Sequence, residues 1–290
     1  MFPNFLIVGA MRSGTTSLYN SLANHPSIYF PHLKEPRFFS SLINDLAKNG
    51  PGDKYIKFIN SWESYKNLYN NAGGAIATGD ASVENLYLHN QVIPKIHQYL
   101  GDVKIIIVLR NPYKRAVSAY KYLLMKGRET LTFNDALQEE GNRMKKKWLP
   151  IWYYKNNGFY YSQVKSYLNS FSNVKIILFE DLINKPNQTL NEVSHFLLDE
   201  HTYNLKDITV SNKSGKDVFY SIYQKNNMLR IIYKTLPRNT RKYFIKYIGQ
   251  YLSDQYDKSI DLENPLNQCY NEDINKLMGL IERDLRPWLK

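Results

Sequence analysis

The sequence predicts an α/β fold: a central, mostly parallel sheet flanked by helices, with a helical C-terminal part. Three observations predict it. Short apolar runs, each far too short to cross a bilayer, recur at 5–8, 75–80, 104–110 and 174–179. Segments with apolar residues at helical spacing fall between them, and strands alternating with helices make a parallel sheet. The run at 104–110 contains five consecutive apolar residues, Ile105-Ile106-Ile107-Val108-Leu109, as expected of a strand covered on both faces.

In chain order, the first strand at 5–8 runs into Gly9-Ala10-Met11-Arg12-Ser13-Gly14-Thr15-Thr16, and helical spacing begins at Ser17. Strand, small-residue loop and helix N-terminus form a cradle for phosphate, because the loop amides and the positive end of the helix dipole point at one anion. The spacing Gly9-x4-Gly14 invites comparison with the nucleotide P-loop, but Thr15 stands where that loop has its lysine, and the cation lies at Arg12. Such a loop suits a different phosphate ester. A short strand is expected near 28–30. After it, Pro36 biases Glu35 towards extended backbone, so this carboxylate is displayed from a loop.

The polar stretch 44–73, broken by Gly50-Pro51-Gly52, reads as surface decoration with a helix near 62–69. A strand at 75–80 ends in Asp80, and a helix follows over about 92–100. After the strand at 104–110, Asn111 is a good N-cap and Pro112 a good first helical residue, starting a helix to about Met125. Helices are expected at 133–140 and 160–171. The last strand, 174–179, is closed by Glu180-Asp181-Leu182, and a helix follows over about 189–197. The run Lys145-Lys146-Lys147 reads as a solvated face. Beyond residue 200 no further strand is expected, and with no repeat or linker the reading is one domain, 1–290.

Composition narrows the function classes without choosing one. The net charge is +12, from 38 basic and 26 acidic residues, which favours a polyanionic ligand. Hydrophobic residues make up 43%, enough for a sizeable core, and 24 tyrosines against 13 phenylalanines imply many half-buried rings with a polar tip. Cys269 is the only cysteine, so no intrachain disulfide is expected and a reducing, cytoplasmic setting is the default. No leader or membrane span is read, and no stable membrane insertion is expected. No His/Cys/Asp cluster has metal-ligand spacing, and no metal is expected.

Three polar clusters sit at strand ends, where ligands of open parallel sheets bind: the Arg12 loop, Asp80-Ala81-Ser82, and Arg110. Eight residues after Arg110, Ser118 falls in the second turn of the next helix. An arginine at a strand end and a hydroxyl from the following helix could clamp a second phosphate.

Arg12-Ser13-Gly14-Thr15-Thr16 resembles the 5′-phosphosulfate loop of sulfotransferases that use 3′-phosphoadenosine 5′-phosphosulfate (PAPS). Arg110 and Ser118, within Val108-Leu109-Arg110-Asn111-Pro112, resemble that family's 3′-phosphate motif. Gly158-Phe159-Tyr160, Phe179-Glu180-Asp181-Leu182 and the stretch 270–288 echo further family patterns, closest to heparan sulfate (glycan) sulfotransferases and their bacterial relatives. The resemblance implies a P-loop-like fold, PAPS as donor and an acceptor hydroxyl on a glycan or small compound. It implies that Ser13, Gly14, Thr15, Thr16 and Ser17 hold the 5′-phosphosulfate beside a catalytic Arg12. Arginine stays charged and is a poor proton donor, so its expected role is electrostatic. Lys34-Glu35-Pro36-Arg37-Phe38-Phe39 resembles the segment carrying the proposed base of the glycan enzymes, which implies Glu35 in that role; His25, His32 and Asp80 are the other candidates by chemistry. Lys34, Arg37, Asp80 and Ser82 are expected near the acceptor, and the basic loop with Lys213, Ser214 and Gly215 near the nucleotide. Ala81 stands where some relatives carry a lysine.

Two rival readings of the sequence are open. A P-loop kinase would lack its lysine here, and its core strand would end in Arg110 rather than a magnesium-binding Asp. A nucleic-acid-binding module would need a contiguous basic and aromatic surface, whereas the basic residues here are scattered, so no nucleic-acid partner is expected.

Overall fold

The computed structural model describes residues 2–43, 46–198 and 265–289, with isolated positions between 231 and 244. Five strands form one all-parallel sheet in the order β2-β3-β1-β4-β5: β1 (Phe5–Gly9), β2 (Ile28–Tyr29), β3 (Ala77–Asp80), β4 (Lys104–Leu109) and β5 (Val174–Leu178). β1 lies between β3 and β4, with Leu6 in register with Asp80 on one side and Ile105 on the other. The central strands are apolar throughout because both faces are covered. Leu6, Val8, Ile105, Ile107 and Leu109 point into one core, while Phe5, Ile7, Ile106 and Val108 point into the other.

The first core is closed by α4 (His89–Leu100), α5 (Pro112–Met125), α8 (Tyr160–Ser170) and the C-terminal helix Asn271–Ile281. The second is closed by α1 (Thr15–Leu22), α9 (Phe179–Asn184) and α10 (Pro186–Leu198), through Leu18, Leu22, Leu182, Leu190, Val193 and Leu197. Helix α5 starts as the sequence predicts: the Asn111 side chain accepts from Lys114 N–H at 3.0 Å, and Pro112 occupies the first turn.

Three expectations need correction. The stretch 44–73 is not surface decoration. Tyr65 and Tyr69 of helix α3 (Trp62–Asn67) and the turn after it are fully buried, as is Asp53. Asp53 accepts from Gly50 N–H at 3.0 Å, Leu149 N–H at 3.0 Å and Trp152 Nε1–H at 3.1 Å, and pairs with Arg128. The Gly-Pro-Gly breaker thus wraps a buried carboxylate. The helix expected at 133–140 is two, α6 (Phe133–Gln138) and α7 (Glu140–Lys145). The turn between them aims the Glu140 carboxylate at the amides of Lys155 and Asn156, at 2.7 and 2.8 Å. Glu180-Asp181-Leu182 lies inside α9 instead of merely closing the strand; two acidic residues in a first helical turn favour the dipole.

Candidate active site

Four polar clusters meet at the carboxyl ends of the strands, one each from the turns after β1, β2, β3 and β4. The order reverses at β1, so the loops after β1 and β4 flank the crevice where open sheets hold ligands.

The loop after β1 places Ser13 fully buried and Gly14 at the start of α1, with φ +91°. A Cβ at Gly14 would stand 2.7 Å from the Phe179 ring, so only glycine lets α9 approach this closely. Thr15 is buried, whereas Thr16 is exposed at the helix start. Gly14, Ser17, Phe179 and Leu182 line a depression between α1 and α9.

The two motifs separated by about a hundred residues are joined directly. Arg12 Nε donates to Ser118 Oγ at 3.4 Å, and Arg110 donates to the Arg12 carbonyl at 3.2 Å. The Arg12 guanidinium also stacks on the Tyr122 ring, 4.6 Å from its centroid. Arg110 lies over Phe179 at 4.4 Å, and Tyr160 OH donates to the Arg110 carbonyl at 3.0 Å. Burial pushes the Arg110 pKa down from its ordinary value, yet an arginine remains charged. Its Nε is buried with no hydrogen-bond partner among the described residues. A buried cation with a spare donor, a glycine cradle and a helix N-terminus fit a ligand that carries phosphates.

A second cluster faces this one. Glu35 pairs with Lys34 at 3.2 Å and with Arg37, and Lys34 Nζ also donates to Thr16 Oγ1 at 2.8 Å. Arg37 Nε donates to Glu84 at 3.3 Å, and the Arg37 backbone N–H donates to Ser82 Oγ at 2.8 Å. Burial works against the Arg37 charge, but Glu84 and then Glu35 outweigh it and leave its pKa raised. Arg12 and Arg37 both adopt left-handed backbone, at φ +68° and +56°. For non-glycine residues such strain persists where the surroundings over-determine it, characteristically at functional sites.

Asp80 is turned inward and 1% exposed. It accepts from Tyr65 OH at 2.7 Å and Ser82 N–H at 2.7 Å, and burial pushes its pKa up to about 6. Among the described residues its hydrogen bonds reach the cluster through Ser82. His25 is buried in a turn, its Nδ1 accepting from Ser27 N–H at 3.1 Å, while His32 is exposed. Lys213, Ser214 and Gly215 lie outside the described residues. Sequence reasoning missed Tyr122, Glu84 and the contact of Phe179 with Gly14. Tyr122 had a signal: it lies one helical turn after Ser118, on the same face. Glu84 had none.

A sheet of this order, with a glycine loop leading into α1 after β1 and an arginine after β4, is of the P-loop-like α/β class. The comparisons specify it. A family model described as "Sulfotransferase family" matches residues 3–200, more than half of the chain, and the protein belongs to that family. A solved structure, a sulfotransferase from Alicyclobacillus acidocaldarius, superposes with a TM-score of 0.76 and 32% identity, covering 99% of each chain. The mouse sulfotransferase SULT7A1, solved with PAP, gives a TM-score of 0.51 at 15% identity, covering 99% of this chain and 86% of that one, a likeness of fold. Rat carbohydrate sulfotransferase 15 is 24% identical over 47% of this chain and 30% of its own length, so the chain spans under a third of that relative. Among the described residues no group of three or more His, Cys, Asp or Glu could hold a metal ion, and no helix is long and apolar enough to cross a membrane.

Proposed function

We propose that the protein transfers a sulfuryl group from PAPS to an acceptor hydroxyl, on a glycan or a small hydroxyl compound. The observation that carries this reading is the junction of Arg110, the Arg12 carbonyl, Arg12 and Ser118. It supports the reading because the two motifs meet at one end of the sheet, where a nucleotide with phosphates at both 3′ and 5′ positions would need them. Arg110 and Ser118 would hold the 3′-phosphate. Ser13, Gly14, Thr15, Thr16 and Ser17 would hold the 5′-phosphosulfate, with loop amides as the main donors. When bound, PAPS supplies the sulfur electrophile.

The chain's own groups supply the rest. Arg12, held by Ser118 and Tyr122, presents a fixed charge where negative charge grows on the leaving oxygen. Glu35 takes the acceptor proton, on a loop fixed by Arg37. The glycan preference draws on the carbohydrate sulfotransferase relative and on the Lys34-Glu35 segment. A cytoplasmic location, suggested by the single cysteine, belongs to this proposal too. The kinase alternative would need a lysine where Thr15 stands.

The test is calorimetric titration with PAP, with ATP as control and no magnesium, on wild type and Arg110→Ala. PAP should bind wild type tightly and ATP much more weakly, and Arg110→Ala should lose about a hundredfold in PAP affinity, as expected for a charge-assisted pair. Magnesium-dependent preference for ATP, or PAP binding indifferent to Arg110, would reverse the reading.

A further inference from the structure

One ammonium group joins the two halves of the site. Lys34 Nζ donates to Thr16 Oγ1 at 2.8 Å and to Glu35 Oε1 at 3.2 Å. Thr16 belongs to the first turn of α1, where amides and helix dipole gather an anion. Glu35 is the base in the reading above. Its other oxygen, Oε2, accepts from Arg37. Both oxygens of the carboxylate are therefore engaged by cations, and each has a lone-pair site taken that an acceptor hydroxyl would otherwise use.

The two cations differ in how they are held. Arg37 is anchored from behind by Glu84 at 3.3 Å, and Glu84 in turn accepts from Ser40 Oγ at 2.8 Å; the Arg37 backbone is tied to Ser82 at 2.8 Å. Among the described residues Lys34 has no comparable anchor: besides Glu35 and Thr16 it lies 5.7 Å from the Tyr19 ring, and its side chain is 24% exposed. A lysine is a compact charge on a flexible stem, so Lys34 is the partner of Glu35 that can change places.

We propose that Lys34 is a catalytic residue that couples donor binding to release of the base. Without donor it engages Glu35 Oε1. With the phosphosulfate at the Thr16 turn, its ammonium turns to that anion, and Oε1 becomes free to meet the acceptor hydroxyl. In the transfer that follows, the acceptor oxygen–sulfur bond forms as the bond from sulfur to the 5′-phosphate oxygen breaks. The bonding pair leaves on that phosphate oxygen, the acceptor proton passes to Glu35 Oε1, and Lys34 stays against the growing negative charge. The arrangement makes acceptor activation wait for the donor. This inference rests on the sulfotransferase reading and on Glu35 as base.

If Glu35 and the donor compete for one ammonium, each must weaken the other's hold on it, and the coupling is measurable by binding alone. The experiment is calorimetric titration of PAPS, without acceptor, into wild type, Lys34→Met, Glu35→Gln and the double variant; methionine keeps most of the stem without the charge. Lys34→Met should weaken PAPS about tenfold, the loss of one charge-assisted contact. Glu35→Gln should tighten PAPS about threefold or more when Lys34 is present, and leave it unchanged in the Lys34→Met background. The same tightening in both backgrounds would mean only that a negative charge had been removed near an anion, and would overturn the coupling. So would Glu35→Gln without any tightening. Failures of the underlying reading are separable: wild type that does not bind PAPS, or binds it independently of Arg110, removes the donor site itself. Glu35→Gln that still transfers at the wild-type rate removes the base, and the proposal with it.

Discussion

Gly14→Ala probes the packing on which the proposed donor site depends. At φ +91° an alanine sits in left-handed backbone, at a cost of about 1–2 kcal/mol. Its Cβ would stand 2.7 Å from Phe179 Cδ2, 3.0 Å from Cε2 and 3.5 Å from Leu182 Cδ1, so the ring must move; overpacking of this kind costs a further ~1–3 kcal/mol. Together the loss is about 2–5 kcal/mol, or a fall in Tm of about 5–15 °C for a chain of this size. The displaced ring is also the face on which Arg110 rests at 4.4 Å, so PAP affinity should drop with stability, by about tenfold for a lost cation–π contact. The assay is thermal denaturation followed by calorimetric PAP titration on wild type, Gly14→Ala and Gly14→Ala/Phe179→Leu. Leucine removes the ring edge that the new methyl meets, so the double variant should melt above Gly14→Ala yet bind PAP no better, since leucine offers no π-face. Gly14→Ala that melts and binds like wild type would refute the reasoning. A double variant that melts no higher would show that the ring is not the obstacle.

Asp80 makes stability depend on pH in the sense opposite to a salt-bridged acid. Its folded pKa is raised to about 6 from 3.8, so the native state binds the proton more tightly than the unfolded chain, and its contribution is lost as pH rises from about 4 to 6. Two units correspond to about 3 kcal/mol. In urea titrations at pH 4 and pH 7, Asp80→Asn should gain on wild type at the higher pH; a difference independent of pH would rule this out. Asp53→Ala strands Arg128 and leaves three buried donors, from Gly50, Leu149 and Trp152, without an acceptor, and should cost about 3–5 kcal/mol. Its urea midpoint should fall with an unchanged m-value; a loss below about 1 kcal/mol would mean that the segment 49–53 repacks.

The parts of the fold that were legible in the chain are those where local chemistry and tertiary environment agree. The apolar runs at 5–8 and 104–109 are strands because a covered parallel sheet demands apolar residues on both faces. Asn111-Pro112 starts a helix whatever packs against it. The stretch 44–73 misled because polarity is a surface signal only when the polar groups face water. Asp53 is wrapped by the Gly50 amide of its own turn, the Leu149 amide and the Trp152 indole N–H, the last two nearly a hundred positions away, and no local pattern encodes that partnership. At the site, the two motifs proposed to hold phosphates are contiguous or nearly so, which is why the chain shows them as patterns. That Arg110 touches the carbonyl of Arg12, and Arg12 the hydroxyl of Ser118, depends on strand order, which alternation of elements does not specify. Glu84 was invisible for the same reason: its partners, Arg37 and Ser40, lie more than forty positions upstream in the loop and helix after β2.

The site is also held from a part of the chain that the family match does not reach. The match ends at residue 200, yet Asp273 accepts from the backbone N–H of Tyr160 at 2.7 Å and of Tyr161 at 3.2 Å, satisfying two of the free amides at the start of α8. Gly158 fits beneath Tyr270, where a Cβ would stand 2.8 Å from that ring, and Tyr270 OH donates to the Lys155 carbonyl at 2.9 Å. These contacts fix where α8 begins and hence where its first residue, Tyr160, points its hydroxyl: at the carbonyl of Arg110. The backbone of Arg110, the residue after β4, is therefore tied through Tyr160 to the C-terminal segment. This accounts physically for two sequence patterns that bear no chemistry of their own, Gly158-Phe159-Tyr160 and the stretch 270–288. An anion site needs its cation aimed before the ligand arrives, because a side chain ordered only on binding subtracts that ordering from the affinity. In the proposed donor site the C-terminal segment thus helps fix the backbone from which the Arg110 side chain extends.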